Sequence, residues 1–216
     1  MYIETERLII RDFNDQDVEA LLAIKYDTHV LEYSPTFIKR DATVDDAKEA
    51  IILWRSIDGK DIFEKGANYA ICLKASGEII GAVTVGGLEF LYEMQIGWMM
   101  NGAFTGKGYA SEAGAAASDY LLDHFSLDYI SVVMDVDNPA SFRTAQKSGF
   151  KLFEKRVPYD YYYSTHNAED FTEVGDYFTN NQSTTGSCYY YFRKFRKNSN
   201  ITSRYYGDTT YDGRFS

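Results

Sequence analysis

The chain has 216 residues, of which 45% are hydrophobic and 25% charged, and its formal net charge is −10. This length fits one domain with a substantial core. The acidic balance argues against a nucleic-acid-binding protein, which needs a basic face, and it fits a cationic or amine-bearing substrate, although acidic surfaces also serve solubility.

Cysteines, histidines and hydropathy exclude further classes. The two cysteines, Cys72 and Cys188, have no disulfide or metal-ligand spacing, and the three histidines stand apart from them. No leader-like segment opens the chain, and no apolar run approaches the roughly 20 residues of a membrane span. We therefore expect a cytoplasmic protein with no metal site and no membrane or nucleic-acid partner.

The first part of the chain predicts a strand and two helices. Residues 5–12 alternate as a strand. Asn14 is the N-cap of the first helix, and Thr43 with Asp46 three residues later forms a capping box at the start of the second helix. This second helix ends near Gly59.

A hairpin and a long strand follow. Residues 69–74 and 78–85 flank the short polar turn at 75–77, which is typical of a hairpin. The Gly86-Gly87 pair breaks the pattern, after which residues 90–100 predict a fourth strand.

Two capped helices and three strands complete the regular region. In order, they are a helix opened by Gly106-Lys107-Gly108, a buried strand at 129–136, a helix opened by Asn138-Pro139, a strand at 150–156 and an antiparallel closing strand at 188–195. The alanines of the first of these helices would let it lie close against the sheet.

Two regions fit no regular element. The segment 157–186 is polar and rich in tyrosine, and residues 197–216 have almost no aliphatic side chains. Aromatic faces attract ammonium groups, but packing on a β-rich surface or at a subunit interface explains the tyrosines too. The predicted organisation is a domain at residues 1–196 that contains this Tyr-rich insertion, followed by a polar tail.

Two helix N-termini point to a ligand. Gly106-Lys107-Gly108 presents bare backbone N–H groups where the helix dipole favours an anion, although a glycine turn alone would need no ligand. Asn138 and Ser141 place an amide and a hydroxyl beyond the end of a buried strand, where ligands collect in open α/β sheets. Together they predict a phosphate-bearing cofactor with its reactive end near a strand edge.

Four segments within residues 3–156 carry a family resemblance: Glu4-Thr5-Glu6-Arg7-Leu8-Ile9-Ile10-Arg11, Phe104-Thr105-Gly106-Lys107-Gly108-Tyr109-Ala110-Ser111-Glu112-Ala113, Asn138-Pro139-Ala140-Ser141-Phe142-Arg143 and Lys147-Ser148-Gly149-Phe150. They resemble the GCN5-related N-acetyltransferase (GNAT) family, in particular its ribosomal-protein-alanine N-acetyltransferase-like branch. The resemblance implies an α/β (α+β) acyl-CoA N-acyltransferase fold. This is a single domain with a mixed, mostly antiparallel sheet, splayed between its fourth and fifth strands and flanked by helices.

The same resemblance implies acetyl-CoA as donor, a primary amine as acceptor and a set of site residues. The N–H groups of Thr105, Gly106, Lys107, Gly108, Tyr109 and Ala110 would hold the pyrophosphate. The backbone of Trp98, Met99 and Met100 would pair with the pantetheine arm. Asn138 would hydrogen-bond this arm, and Ser141 would protonate the departing thiolate; support of the helix cap explains Ser141 equally well.

The residue that removes the amine proton departs from the family pattern. Many relatives carry a glutamate where this chain has Gln95, and an amide cannot accept a proton. Glu93 lies two residues earlier on the same strand face and would act as the catalytic base through water. A solvated carboxylate on an exposed sheet face is the other interpretation.

Two further functions fit the same residues. The departure at Gln95 fits an acyl-CoA-binding protein that has lost catalysis. The tyrosine-rich C-terminal part fits an interaction protein in which the cofactor is structural. The sequence leaves open the identity of the amine, whether a protein N-terminus or a small molecule, and whether the protein is a monomer or a homodimer.

Overall fold

Eight strands and six α-helices are present in the described part of a computed structural model, which comprises residues 1–33, 43–57, 59, 61–88, 93–156 and 189–197. The strands are β1 (Tyr2–Glu4), β2 (Leu8–Asp12), β3 (Ala67–Leu73), β4 (Ile79–Leu88), β5 (Glu93–Met100), β6 (Tyr129–Asp135), β7 (Lys151–Arg156) and β8 (Tyr189–Phe195). The helices are α1 (Val18–Lys25), α2 (Thr28–Tyr33), α3 (Val44–Ser56), α4 (Ile62–Lys65), α5 (Tyr109–His124) and α6 (Pro139–Lys147).

All eight strands belong to one sheet, in the order β1-β2-β3-β4-β5-β6-β8-β7. Neighbouring strands are antiparallel except β5 and β6, which run parallel and pair only at Gln95 and Ser131. The sheet is therefore splayed between these two strands. They are the predicted fourth and fifth strands, because β1 adds one strand at the start of the chain. The predicted acyltransferase-type architecture is thus confirmed. The last strand, β8, lies between β6 and β7.

Helices cover both faces of the sheet, and strand alternation divides the core between them. On β3, Ile71 joins the core beneath α5, whereas Ala70 and Cys72 join the core beneath α1 and α3. The α5 side continues across the splay, because Ile96 of β5 and Val132 of β6 belong to the same buried cluster.

The predicted strand at residues 5–12 is wrong at its start, because the chain turns there. Thr5 accepts a hydrogen bond at its hydroxyl from the Leu8 N–H (2.9 Å), and the Thr5 N–H donates to the Leu8 carbonyl (2.9 Å). These bonds close a hairpin between β1 and β2, whose residues Tyr2 and Arg11 are paired.

The predicted break at Gly86-Gly87 is also wrong, because β4 continues through both residues to Leu88. A Cβ on Gly87 would lie 2.5 Å from the carbonyl oxygen of Phe63 in α4. The glycine therefore provides room for a helix against the strand and does not end it.

The predicted cap at Thr43 is confirmed for α3, whereas Asn14 caps a 3-10 helix at Asp15–Asp17 that leads directly into α1. Both Asn14 and Thr43 form capping boxes, with Asp17 and Asp46 respectively. The short helices α2 and α4 were not predicted, since neither has enough turns to show an apolar period.

Several sequence-based expectations fall on residues outside the described part. These are the Tyr-rich insertion at 157–186, Cys188 and all but the first residue of the tail at 197–216. The proposed domain limits consequently stay a prediction. No helix among the described residues is long and apolar enough to cross a membrane.

Candidate active site

The loop before α5 combines two left-handed glycines with unpaired backbone donors. Gly106 has φ 73° and Gly108 has φ 82°, and Gly108 is the N-cap of α5. Within the described residues, no hydrogen-bond acceptor is paired with the N–H groups of residues 106–110. Thr105 differs, because its N–H donates to the Gly102 carbonyl (3.3 Å). The loop thus offers N–H groups to an anion from Gly106 onward.

Lys107 is folded back onto its own loop. Its Nζ donates to the Ala103 carbonyl (3.0 Å) and lies 5.0 Å from the centre of the Phe104 ring. These contacts favour a role in the shape of the loop, in addition to the positive charge that Lys107 brings near the donors.

At the splay, the backbone groups of alternate β5 residues point towards β6. The carbonyl of Met94 faces β6, because the Ser131 hydroxyl donates to it (3.3 Å). Backbone groups of alternate residues point to the same side of a strand, so those of Trp98 and Met100 also face β6. They have no strand partner there among the described residues, whereas the backbone of Met99 faces β4.

Trp98 also forms part of the wall of the splay. A Cβ on Gly114 of α5 would lie 3.2 Å from two ring carbons of Trp98 and 2.8 Å from the hydroxyl oxygen of Ser148. Only glycine allows α5 to approach the strand this closely. Gly114 therefore permits the close packing of α5 on Trp98 and Ser148.

Asn138 and Ser141 stand together at the start of α6. The side-chain oxygen of Asn138 accepts from the Ser141 N–H (2.9 Å), which leaves the amide nitrogen of Asn138 for another partner. The Ser141 hydroxyl makes no hydrogen bond with the residues that the structure describes. Phe142 anchors the helix, with ring centres 5.0 Å from those of Tyr190 and Phe192.

Glu93 is buried, so the interpretation as a solvated carboxylate on an exposed face is wrong. Its side chain is 5% exposed and forms an ion pair with Arg193 of β8. The Tyr129 hydroxyl donates to the same carboxylate (3.2 Å), and the Arg193 guanidinium lies 3.9 Å from the centre of the Phe153 ring. The carboxylate thus joins β5, β6 and β8 below the splay. Its role as a base stays a prediction.

The sequence reasoning missed a role for Arg7. This residue contacts both the loop and Glu112 in the first turn of α5. Burial tends to raise the pKa of Glu112, but hydrogen bonds from Thr5 and Arg7 outweigh it and lower this pKa below its ordinary value. The only signal in the sequence was that both residues lie within segments that carry the family resemblance.

Several acidic side chains lie near α2. Partial burial, followed by the carboxylates of Glu32, Asp135 and Asp137, raises the pKa of Tyr33. Asp27, which precedes this helix, accepts from the Gly102 N–H (3.1 Å). In the part of the chain that the structure describes, α2 and the β6–α6 turn therefore bring three carboxylates near Tyr33. Among the described residues, no three His, Cys, Asp or Glu side chains are grouped as metal ligands.

These features define a class of protein. A sheet opened between parallel strands, with an anion-binding loop next to the opening, suits an elongated cofactor that carries phosphate at one end and a reactive group at the other. Three groups of residues fit this requirement: the loop N–H groups from Gly106 onward, the free edge of β5 at Trp98 and Met100, and the side chains of Asn138 and Ser141.

Comparisons with known proteins identify the family. Residues 7–151 match the model of the acetyltransferase (GNAT) domain. The uncharacterized N-acetyltransferase YnaD of Bacillus subtilis is 28% identical over 173 residues, which cover 76% of this chain and 96% of YnaD. The chain therefore belongs to the GNAT family and is an acetyl-CoA-dependent N-acetyltransferase.

Solved structures agree with the fold. A GNAT-family acetyltransferase from Bacillus anthracis is similar with a TM-score of 0.64 and 22% identity, over 90% of this chain and 98% of that one. RimL, a ribosomal L7/L12 alpha-N-protein acetyltransferase solved with coenzyme A, has a TM-score of 0.65 and 14% identity, over 91% and 98% of the two chains.

Proposed function

We propose that the protein transfers the acetyl group of acetyl-CoA to a primary amine by direct attack, without a covalent enzyme intermediate. The observation that carries the proposal is the presence of two sets of unpaired backbone groups that are close together in the chain, at the end of β5 and at the start of α5. One set is the N–H groups of residues 106–110, and the other is the free edge of β5 at Trp98 and Met100. They suit the pyrophosphate and the pantetheine amides of one molecule.

The loop fits an anion sterically as well as electrically. A Cβ on Gly106 would meet no atom within 4 Å, so the space above this residue is open. The N–H groups lie at the N-terminus of a 16-residue helix, whose dipole adds about half a positive charge. Acetyl-CoA, when bound, supplies the activated acyl carbon. The protein supplies its position.

The remaining chemistry needs a proton donor for the leaving thiolate. As the amine nitrogen bonds to the thioester carbon, the carbon–sulfur bond breaks and the sulfur takes up a proton. Ser141 is proposed to give this proton, because its hydroxyl is not engaged with the described residues and the helix cap already uses its N–H. The amide of Asn138 is proposed to hold the pantetheine arm beside it.

The amine must lose a proton, and the ion pair at Glu93 bears on how it does so. A carboxylate already paired with Arg193 and hydrogen-bonded by Tyr129 has little capacity left for a water relay. We therefore assign Glu93 first to holding β8 against β5. The amine then loses its proton directly to bulk solvent. Transfer of this proton through water to Glu93 is the alternative route.

For the acceptor, we propose a cationic molecule with a primary amine. Three described carboxylates, those of Glu32, Asp135 and Asp137, act on Tyr33 beside α2, and the whole chain carries a net charge of −10, which favours a cationic acceptor. A protein N-terminus, the target in the printed name of RimL, and a small polyamine both meet this description. Of the two, a protein N-terminus is the acceptor that a likeness to RimL would favour.

A second candidate function rests on Gln95. Gln95 is half-buried on β5, two residues after Glu93, and its amide cannot accept the amine proton as a carboxylate at this position could. A protein that binds acyl-CoA without turning it over would have the same loop and the same splay.

The first test is thermal unfolding with and without acetyl-CoA. Ligand at about 100 times its dissociation constant should add about 2.7 kcal/mol to the free energy of unfolding. Gly108→Glu should abolish this gain, because a side chain strains this left-handed position and its Cβ would lie 3.4 Å from Nη2 of Arg7, on the residue that contacts the loop. Gly77→Glu is the matched control, since Gly77 has φ 74° in the β3–β4 turn, with no atom within 4 Å of the position that its Cβ would take.

A second measurement separates the two candidates. Release of free CoA should depend on an added amine, and a basic peptide with a free N-terminus should be compared with its N-acetylated form. CoA binding without release on any amine would support the non-catalytic candidate. An absence of stabilisation by acetyl-CoA in the intact protein would contradict both.

A further inference from the structure

Arg7 connects the β1–β2 hairpin to the loop before α5 through several contacts. Its Nη1 donates to the Lys107 carbonyl (3.0 Å), and its Nε donates to the Glu112 carboxylate (2.6 Å). The guanidinium carbon also lies 4.6 Å from the centre of the Tyr109 ring. One side chain thus contacts three residues on the loop and the first turn of the helix.

Glu112 fixes the orientation of this guanidinium. Besides Arg7 Nε, its carboxylate accepts from the Arg7 N–H (2.9 Å) and from the Thr5 hydroxyl (2.5 Å). The Glu112 side chain is 18% exposed, whereas that of Arg7 is 43% exposed. The carboxylate is therefore the anchored member of the pair, and the hairpin and helix are joined through it.

The contact with the Lys107 carbonyl has a direct effect on the donors. A peptide group is planar and trans, so its C=O and N–H point in opposite directions. Because Arg7 holds the Lys107 carbonyl on the hairpin side, the N–H of Gly108 points away from the hairpin. Gly108 is one of the donors assigned above to the pyrophosphate.

We propose that Arg7, oriented by Glu112, is a positioning residue that sets the direction of the Gly108 N–H and so the affinity for the pyrophosphate of acetyl-CoA. This inference rests on the proposed function of the loop. Nε and Nη1 are directed at protein atoms, and Nη2 lies beside Gly108, 3.4 Å from the position that a Cβ there would take, so the guanidinium acts through the loop and its shape matters more than its charge. Lysine cannot reproduce two directed donors and a stacked plane.

The test measures the dissociation constants of CoA and of pantetheine, which lacks phosphate, for the wild type, Arg7→Lys and Arg7→Met. We expect CoA to bind about tenfold more weakly to both variants, equivalent to about 1.4 kcal/mol, and pantetheine to bind all three proteins equally. Glu112→Gln should weaken CoA binding to a smaller extent. Arg55→Met is the control, because it removes an exposed arginine of α3 that is paired with Asp15. It should change neither dissociation constant.

Four results would overturn the inference. Wild-type affinity for CoA in Arg7→Lys would show that charge alone suffices. Equal losses for CoA and pantetheine would show a general structural defect. Unchanged CoA binding in Arg7→Met, with a wild type that prefers CoA to pantetheine, would remove the role of Arg7 and leave the proposed function intact. A wild type with no such preference would instead remove the proposed function and this inference with it.

Discussion

At the scale of single residues, Ser141 separates two roles that are often confounded. Its N–H completes the cap of α6, and its hydroxyl makes no hydrogen bond with the described residues. A substitution that removes only the hydroxyl leaves the cap in place. The structural and chemical roles can therefore be tested separately.

We expect Ser141→Ala to lower kcat by roughly 10²-fold, the usual loss for a proton donor in the transition state. The KM for acetyl-CoA and the unfolding midpoint should stay near those of the wild type. Steady-state kinetics of CoA release measures both constants. Thr144→Ala is the control, because it removes a hydroxyl of the same helix that donates to the Ala140 carbonyl (2.9 Å). Equal kcat values for Ser141→Ala and the wild type would exclude the hydroxyl as the donor.

Glu93 is the second residue whose two roles can be separated. Glu93→Gln leaves Arg193 buried without its counter-charge, and breaking a buried pair in this way costs about 3–5 kcal/mol. We expect a large loss in the free energy of urea unfolding, with kcat within about threefold of the wild type where the variant is folded. A folded variant with an unchanged stability and a kcat reduced by roughly 10²-fold would instead establish Glu93 as the base.

At the scale of elements, the hairpin β1–β2 and helix α5 are joined by one carboxylate whose ionisation matters. The pKa of Glu112 is lower in the folded protein than the ordinary value of 4.5. The unfolded chain therefore takes up this proton at a higher pH than the folded protein does. The contribution of Glu112 to stability is complete above the ordinary pKa and is lost as pH falls through the lowered one.

Urea unfolding between pH 7 and pH 3 tests this linkage. The wild type should lose stability more steeply than Glu112→Gln below about pH 4.5, because the variant has no proton to take up at this position. Above that pH the difference between the two proteins should be constant. Parallel curves over the whole range would contradict the assignment of the lowered pKa to Glu112.

The contact between α5 and β5 gives a steric prediction. Gly114→Val should destabilise the protein by about 2–3 kcal/mol, because its side chain would overlap the Trp98 ring and the Ser148 hydroxyl. It should also weaken acetyl-CoA binding, since it displaces Trp98, whose backbone lies at the free edge of β5. Asp123→Val on the exposed face of α5 is the control and should change the stability little, because aspartate and valine have similar helix propensities. Similar losses in both variants would mean that the contact is not tight.

At the scale of the whole molecule, local signals predicted most of the fold. Capping boxes, glycine and proline positions and apolar periodicity placed α3, α5, α6 and the four strands from β5 to β8 near their observed bounds. Such signals fail where a side chain overrides the pattern. The Thr5 hydroxyl turns a chain that alternates like a strand, and Gly87 continues a strand that its residue type would end.

The parts of the site that were not predicted depend on contacts remote in sequence. Glu93 and Arg193 are 100 residues apart, and Arg7 and Glu112 are 105 apart. No spacing rule relates such pairs, and a buried carboxylate looks like an exposed one until its partner is known. The loop and the capped helix were predictable because each is formed by neighbours along the chain.

The place of β8 between β6 and β7 also has a consequence for synthesis. The ribosome must add roughly 60 residues after β6 before its partner exists, which takes on the order of 3–12 s at ordinary elongation rates. Throughout that interval β6 has an open edge and Phe192, a fully buried core residue, is not yet present. The nascent chain therefore spends seconds with one edge of β6 open and with β7 still lacking the strand that pairs with it.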